Sequence, residues 1–440
     1  MQILGNGRLI THTGEFFEDG AVVVDGTKIV DFGNTSDMKS KYSSGEFVDC
    51  GRKVIMPGFI NCHQHIYSQF ARGLNMNNPP AKDFLDILKN VWWRLDKKLT
   101  LEDTKYSAYC TFIEGIRAGV TTVFDHHASP FHIEGSLAEI GKVATELGVR
   151  ASLCYEVSDR DGEDIFKAGV KENMDWIKYA NSDSQNMLRG MFGLHASFTL
   201  SEKSLNECAK AMQGANTGYH VHVAEGIGDV HDSLKQYGKR IVHRLFDHGM
   251  LSPDTLTVHC IHVNEAEMDL IKETGAKVVH NPQSNMGNAV GCSPIIRMVE
   301  KGLQVGIGTD GYTADMTESM KVESIIHKHN LCNSNVGFME TGTLAFESNP
   351  AYASHFFGAP IGKIEKGAEA DIIVVDYEPP TPMLNTNCLG HILFGMSGRA
   401  VDSTMVAGKF IMKDRKILTC DEKEVFAKAR EVATDLWKRV

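Results

Sequence analysis

The chain reads as an α/β protein, a (β/α)8 TIM-type barrel carrying a small β-sandwich domain formed by the N- and C-terminal segments. Two observations lead there. Between residues 54 and 311 eight short apolar runs rich in Val, Ile, Phe and Thr (54–62, 119–125, 150–157, 188–196, 218–224, 255–261, 277–280 and 304–309) alternate with spacers patterned as helices. Both flanks instead carry short alternating runs separated by turn signals.

At the N-terminal flank, residues 15–33 form two alternating runs joined by Asp25-Gly26, a strong hairpin signal. The same texture returns at 362–376 and 401–418. Neither flank holds enough strands for a stable sheet, so the two ends are expected to meet in one small domain. The resulting division is 1–56 and 359–440 for the small β domain, with a final helix over 422–438, and 57–358 for the barrel. Within the barrel, 101–119 and 136–148 show helical spacing, the second closing on Gly148 as a C-cap. Barrel chemistry gathers at the C-terminal ends of the strands, which directs attention to the residues ending each run.

Composition narrows the function. The ten cysteines are scattered singly with no Cys-x-x-Cys, which excludes a thiolate zinc site and a redox pair and predicts reduced thiols. No apolar stretch approaches the ~20 residues of a membrane span, and the N-terminus lacks a signal pattern, so a cytoplasmic location is expected. A net charge of -11 argues against a nucleic-acid partner, which would demand clustered Lys and Arg.

The nineteen histidines are the unusual count, and the conspicuous ones end apolar runs. His63 and His65 are two apart, so on a strand both face the same way. The spacing recurs at His220 and His222, where His222, nearer the strand end, is the better third ligand and His220 a deeper hydrogen-bonding histidine. Asp310, closing the apolar run 305–309, is costly to bury as a charge unless it meets a cation. Three imidazoles and one carboxylate suit one divalent ion, Zn2+ first and Fe2+ as a substitute, rather than Ca2+ or Mg2+. The region 188–197 contains no Lys to bridge a second metal. These residues predict a metal-dependent hydrolase.

The segments Pro57-Gly58-Phe59-Ile60-Asn61-Cys62-His63-Gln64-His65, Gly193-Leu194-His195-Ala196, His220-Val221-His222-Val223-Ala224-Glu225, Val258-His259-Cys260-Ile261-His262, His280-Asn281-Pro282-Gln283-Ser284-Asn285 and Gly308-Thr309-Asp310-Gly311 together resemble the amidohydrolase superfamily. The resemblance runs nearly end to end and falls in the branch of cytosine, guanine, adenosine-type and S-adenosylhomocysteine deaminases and triazine chlorohydrolases, with the SsnA-type aminohydrolases the nearest likeness. It implies a metal held by His63, His65, His222 and Asp310, with Glu225 and His259 catalytic without binding it. Asp310 would take a proton from the attacking water, His259 would orient that water, and Glu225 would protonate the ring nitrogen beside the attacked carbon.

The implied reaction is deamination of an amidine-type carbon in a purine-like heterocycle; cyclic amide hydrolysis and dechlorination use the same groups, and a non-catalytic scaffold is the reading from another class. His195 is implied as a substrate-facing donor. Gln69, Arg72 and His127 are the further substrate contacts expected from the loops, while Trp92 and Trp93 read as helix packing and His262 as structural. The expected partner is a small heterocyclic molecule, and look-alikes are homodimers or larger homo-oligomers.

Overall fold

The structure, a computed structural model, describes residues 1–440. Eight parallel barrel strands follow one another in chain order: Phe59–Gln64, Val120–His127, Arg150–Tyr155, a fourth in two pieces (Leu188–Gly190 and Phe192–Ala196), Tyr219–Val223, Leu256–His259, Lys277–His280 and Val305–Ile307. The first piece of the fourth strand pairs with the third strand and the second piece with the fifth. A bridge between Val157 and Leu194 spans the step. Gly193 allows the approach, since a Cβ there would stand 2.3 Å from the Tyr155 carbonyl oxygen.

The barrel closes at its first and eighth strands. The His63 carbonyl accepts from Thr309 N at 3.0 Å and from Asp310 N at 2.9 Å, and Asn61 Nδ2 donates to Thr309 Oγ1 at 2.7 Å. An interior cluster of Ile60, Cys62, Phe124, Leu256, Val258 and Val279 fills the lower barrel and is plugged by Tyr352 and Phe357 of the helix Asn349–Phe357. The larger core lies between the outer faces of the strands and the surrounding helices.

The apolar run 54–62 is two strands, not one. Val54–Pro57 joins the outer sheet and Phe59–Gln64 the barrel. They separate at Gly58, where a Cβ would meet Thr121 Cγ2 at 2.2 Å, so the chain passes between the sheets with no room for a side chain.

The outer sheet has nine strands, and both chain ends contribute to it, forming the small sandwich domain. Val54–Pro57 lies between Gln2–Ile10 on one side and Ile372–Val375 on the other. The Asp-Gly signal forms its hairpin, Phe16–Asp25 against Lys28–Asn34, with Gly26 at φ 58. One buried ion pair ties this sheet to the barrel: Arg150, 0% exposed on the third barrel strand, donates to Asp371 at 3.1 and 3.2 Å. The final helix, Glu422–Arg439, packs Ala429, Val432 and Leu436 against Tyr67, Leu95 and Leu99. No helix is long and apolar enough to cross a membrane.

Candidate metal and catalytic centre

The site stands at the C-terminal mouth of the barrel. Residues 60 and 62 both belong to the interior cluster, so plain alternation would aim His63 outward; a register shift between Asn61 and Gln64 turns it in. The same problem recurs on the sixth strand, where Leu256 and Val258 occupy the interior. There His259 adopts a left-handed conformation (φ 70) that brings its ring to the mouth. Ala224, Cys260 and Asp310 are also left-handed, at φ 50, 48 and 57, so three strand ends carry strained backbone at the site.

Ring orientations are fixed by hydrogen bonds on the side away from the centre. His65 Nδ1 donates to the His126 carbonyl (2.6 Å) and His222 Nδ1 to the His195 carbonyl (2.9 Å), so each presents an Nε2 lone pair inward, the two 3.2 Å apart. His63 Nδ1 pairs with His220 Nε2 at 2.9 Å, leaving His63 Nε2 buried with no hydrogen-bond partner. Asp310 Oδ1 lies 3.2 Å from His65 Nε2 and 3.7 Å from His63 Nε2. Its other oxygen accepts from Ser284 Oγ at 2.7 Å. Converging nitrogen lone pairs, one of them orphaned in the interior, beside a carboxylate are a donor set that fits a divalent ion such as zinc.

Glu225 and His259 complete the ring around this point. His259 Nδ1 donates to Asn285 Oδ1 (2.8 Å), while Nε2, also without a hydrogen-bond partner, stands 3.6 Å from both Glu225 Oε2 and Asp310 Oδ2. Burial pushes the Glu225 carboxyl well above the usual carboxylate range, and the nearby Asp310 charge adds to it. Burial alone would raise Asp310 too, but the imidazoles of His63, His65 and His259 outweigh it and hold it well below. His259 is pushed down to about 4, chiefly by burial. Glu225 thus favours its protonated form and Asp310 its ionised one.

A cavity of about 760 Å3 opens from these groups toward solvent. His195 lines it, but Gln69, Arg72 and His127 do not. Arg72 donates both guanidinium NH groups to Glu114 at 2.6 and 2.9 Å, and with Gln69 it borders a separate cavity of about 220 Å3. The second strand extends to His127, two residues past the expected end, and its alternation turns His126 inward, with ring centroids 4.6 Å from His222, while His127 bonds Ser129 Oγ at 2.9 Å. Trp92 and Trp93 do line the cavity, contrary to the packing reading, delivered there by a widened turn at Leu88–Trp92. Trp93 stacks on Phe198 with centroids 6.3 Å apart. His262 Nε2 donates to the Val290 carbonyl at 2.8 Å on the cavity rim.

One wall residue escaped the sequence reading. Glu156, 4% exposed, follows the third strand and lines the same cavity as Glu225, held by Arg160 at 3.3 Å. Its signal was the one that exposed Asp310: a carboxylate at the end of an apolar run, here Tyr155-Glu156-Val157.

The amidohydrolase family model matches residues 54–411. A 5'-deoxyadenosine deaminase of Methanosarcina mazei is 30% identical over 427 residues, covering 96% of this chain and 94% of that protein. A 5-methylthioadenosine/S-adenosylhomocysteine deaminase of Syntrophomonas wolfei is 29% identical over 435 residues, covering 97% and 96%. An adenosine deaminase structure from Xanthomonas campestris with bound zinc shares the fold at a TM-score of 0.85 and 22% identity, covering 99% of this chain and 98% of that one. The matched segment begins in the outer sheet and takes in all eight barrel strands, and on that extent the chain belongs to the amidohydrolase family, as a metal-dependent hydrolase of C–N bonds.

Proposed function

We propose that the protein is an aminohydrolase that removes ammonia from an amidine-type carbon of a purine-like heterocycle. The observation that carries this reading is the pairing of a proton-giving Glu225 with a proton-accepting Asp310 across His259, all at one cavity mouth. The adenosine-type substrates in the names of the sequence relatives support the choice of a purine-like ring.

His63, His65, His222 and Asp310 would hold the ion. A divalent ion so held supplies Lewis acidity, lowering the pKa of water from 15.7 to about 7. Asp310 Oδ2 accepts the proton that the attacking water loses, and Ser284 Oγ fixes its direction. His259 Nε2, anchored through Asn285, orients that water between Glu225 and Asp310. Glu225, kept protonated by its surroundings, gives its proton to the ring nitrogen beside the attacked carbon; the proton held on Asp310 then passes to the amino group, which leaves as ammonia as the carbonyl forms and the hydroxyl proton returns to Glu225. The Trp92 and Trp93 rings exclude water from the apolar side of the cavity. A cytoplasmic setting fits ten free cysteines, and a homo-oligomer is the proposed assembly.

The test is ammonia release from aminated purines, pyrimidines and triazines by zinc-loaded protein. Turnover of at least one purine-like compound, lost on chelation and restored by zinc, is expected. Fully metallated protein that releases ammonia from none of them would sink the proposal.

A further inference from the structure

The cavity wall built by the second, third and fourth barrel strands turns two hydrogen-bond acceptors, the Glu156 carboxylate and His195 Nε2, toward the site. His126, 0% exposed, donates from Nε2 to the His220 carbonyl at 3.0 Å and turns Nδ1 toward Glu156. That atom stands 3.2 Å from Glu156 Oε2 without making a hydrogen bond. The other Glu156 oxygen accepts from Arg160 at 3.3 Å, and Arg160 is otherwise engaged by Asp96 and Ser158. His195 repeats the pattern. Thr199 Oγ1 donates to the Ala196 carbonyl (3.0 Å), so it accepts from His195 Nδ1 (2.7 Å) and leaves His195 Nε2 as an acceptor on the cavity side.

Glu156, His195 and His222 each place a ligand-type atom within 4.8 Å of the others, and His222 is one of the residues around the metal position. The reacting carbon must lie beside that position. A carboxylate so close to His222 therefore faces the substrate ring itself and not a substituent carried beyond it. A buried acceptor is costly to leave unpaired, and a substrate N–H arriving between the two removes that cost only when it is correctly placed.

We propose that Glu156, with His195 beside it, selects a heterocycle that carries N–H on the ring edge facing Glu156: a lactam- or guanidine-type ring such as guanine, cytosine or pterin, in preference to an N9-substituted adenine ring. Apart from its leaving amino group, the ring of an N9-substituted adenine offers only nitrogen lone pairs, which face the same acceptors unfavourably. The inference rests on the aminohydrolase reading and names the ring that reading leaves open.

Zinc-loaded full-length protein, wild type and Glu156→Gln, is offered guanine, cytosine and pterin on one side and adenosine and 5'-deoxyadenosine on the other. Ammonia release, calorimetric binding and zinc content are read in parallel. The N–H-edged rings are expected to be preferred by on the order of 10²-fold in kcat/KM, the preference dropping at least about tenfold in Glu156→Gln while zinc stays at one equivalent. Binding of an N–H-edged ring that is lost in Glu156→Gln, with no ammonia released from any compound, keeps the inference and removes the aminohydrolase reading. Preference for the adenine type, equal treatment, no binding of either, or a preference unmoved by Glu156→Gln overturns it. So does a second equivalent of zinc that disappears in Glu156→Gln, which would make the wall a cation site. Should Glu156→Gln fail to fold, the wild-type preference decides.

Discussion

His259 and Asp310 share an unusual backbone, both left-handed at strand ends (φ 70 and 57), a conformation that costs a non-glycine residue about 1–3 kcal/mol. At His259 the cost is tolerated because it aims a side chain that strand alternation would misdirect. This explains why the residues of the site were legible in the sequence while their directions were not. His63, His65, His222 and Asp310 could be picked out because strand ends and spacing of two are written in the order of residues. His126 could not be separated from His127, because one extra pair of residues in the second strand decides which of them faces in. Glu156 was passed over since a lone carboxylate acquires meaning only beside His126, Arg160 and His195. At this scale the proton donor is testable. Glu225→Gln keeps the shape and removes the proton, so kcat should drop by about 10²–10⁴-fold with zinc content unchanged. A variant with full turnover would show that another group protonates the substrate.

Among the elements, the seventh strand and the helix Met316–Leu331 meet through a buried chain of ionisable groups outside the barrel. His280 Nδ1 pairs with Glu323 Oε2 at 2.5 Å, Glu323 Oε1 accepts from His327 Nε2 at 2.9 Å, and Cys292 Sγ lies 3.6 Å from His327 Nδ1. Burial disfavours the His327 imidazolium, but Cys292 and Glu323 more than offset it and raise its pKa from 6.5 to about 10. Burial likewise opposes the Glu323 carboxylate, and His280 and His327 overcome that, lowering it from 4.5 to about 2. A raised histidine stabilises fully below its unfolded pKa and loses that contribution as pH climbs to the folded one. A lowered carboxylate stabilises above its unfolded pKa and loses that contribution as pH falls. The stability gap between wild type and His327→Gln in urea should therefore be widest between pH 4.5 and 6.5 and close toward pH 10. A gap that stays constant to pH 10 would mean the imidazolium is not what holds the helix. Element identity was largely legible here, since apolar runs and helical spacing are local properties. The split of 54–62 into two strands was not, because it depends on Thr121 standing 2.2 Å from where a Gly58 side chain would be.

Over the whole molecule, the two chain ends and the barrel are held in one piece by contacts between residues far apart in sequence. Arg150 and Asp371, both buried and 221 residues apart, are the sharpest case. Asp371→Ala leaves the guanidinium buried with the Asn186 carbonyl and, at 3.7 Å, Glu369 as its one remaining carboxylate, and about 3–5 kcal/mol of unfolding free energy should be lost in chemical denaturation. A loss below about 1 kcal/mol would show that water or a shifted Glu369 takes over the pair. That the flanks would join was foreseeable from their shared strand texture, whereas the ion pair fastening them to the barrel had no local signature. The seam between the first and eighth strands has a consequence for how the molecule comes into being. Asn61 meets Thr309 across 248 residues, and the ligands His63 and Asp310 flank that junction. During synthesis the early histidines emerge long before their carboxylate partner, so a nascent chain lacking its last strand has half a binding site and an open edge. Metal capture then becomes a late event that reports completion of the ring, and a chain released too soon is left without the ion that would mark it as finished.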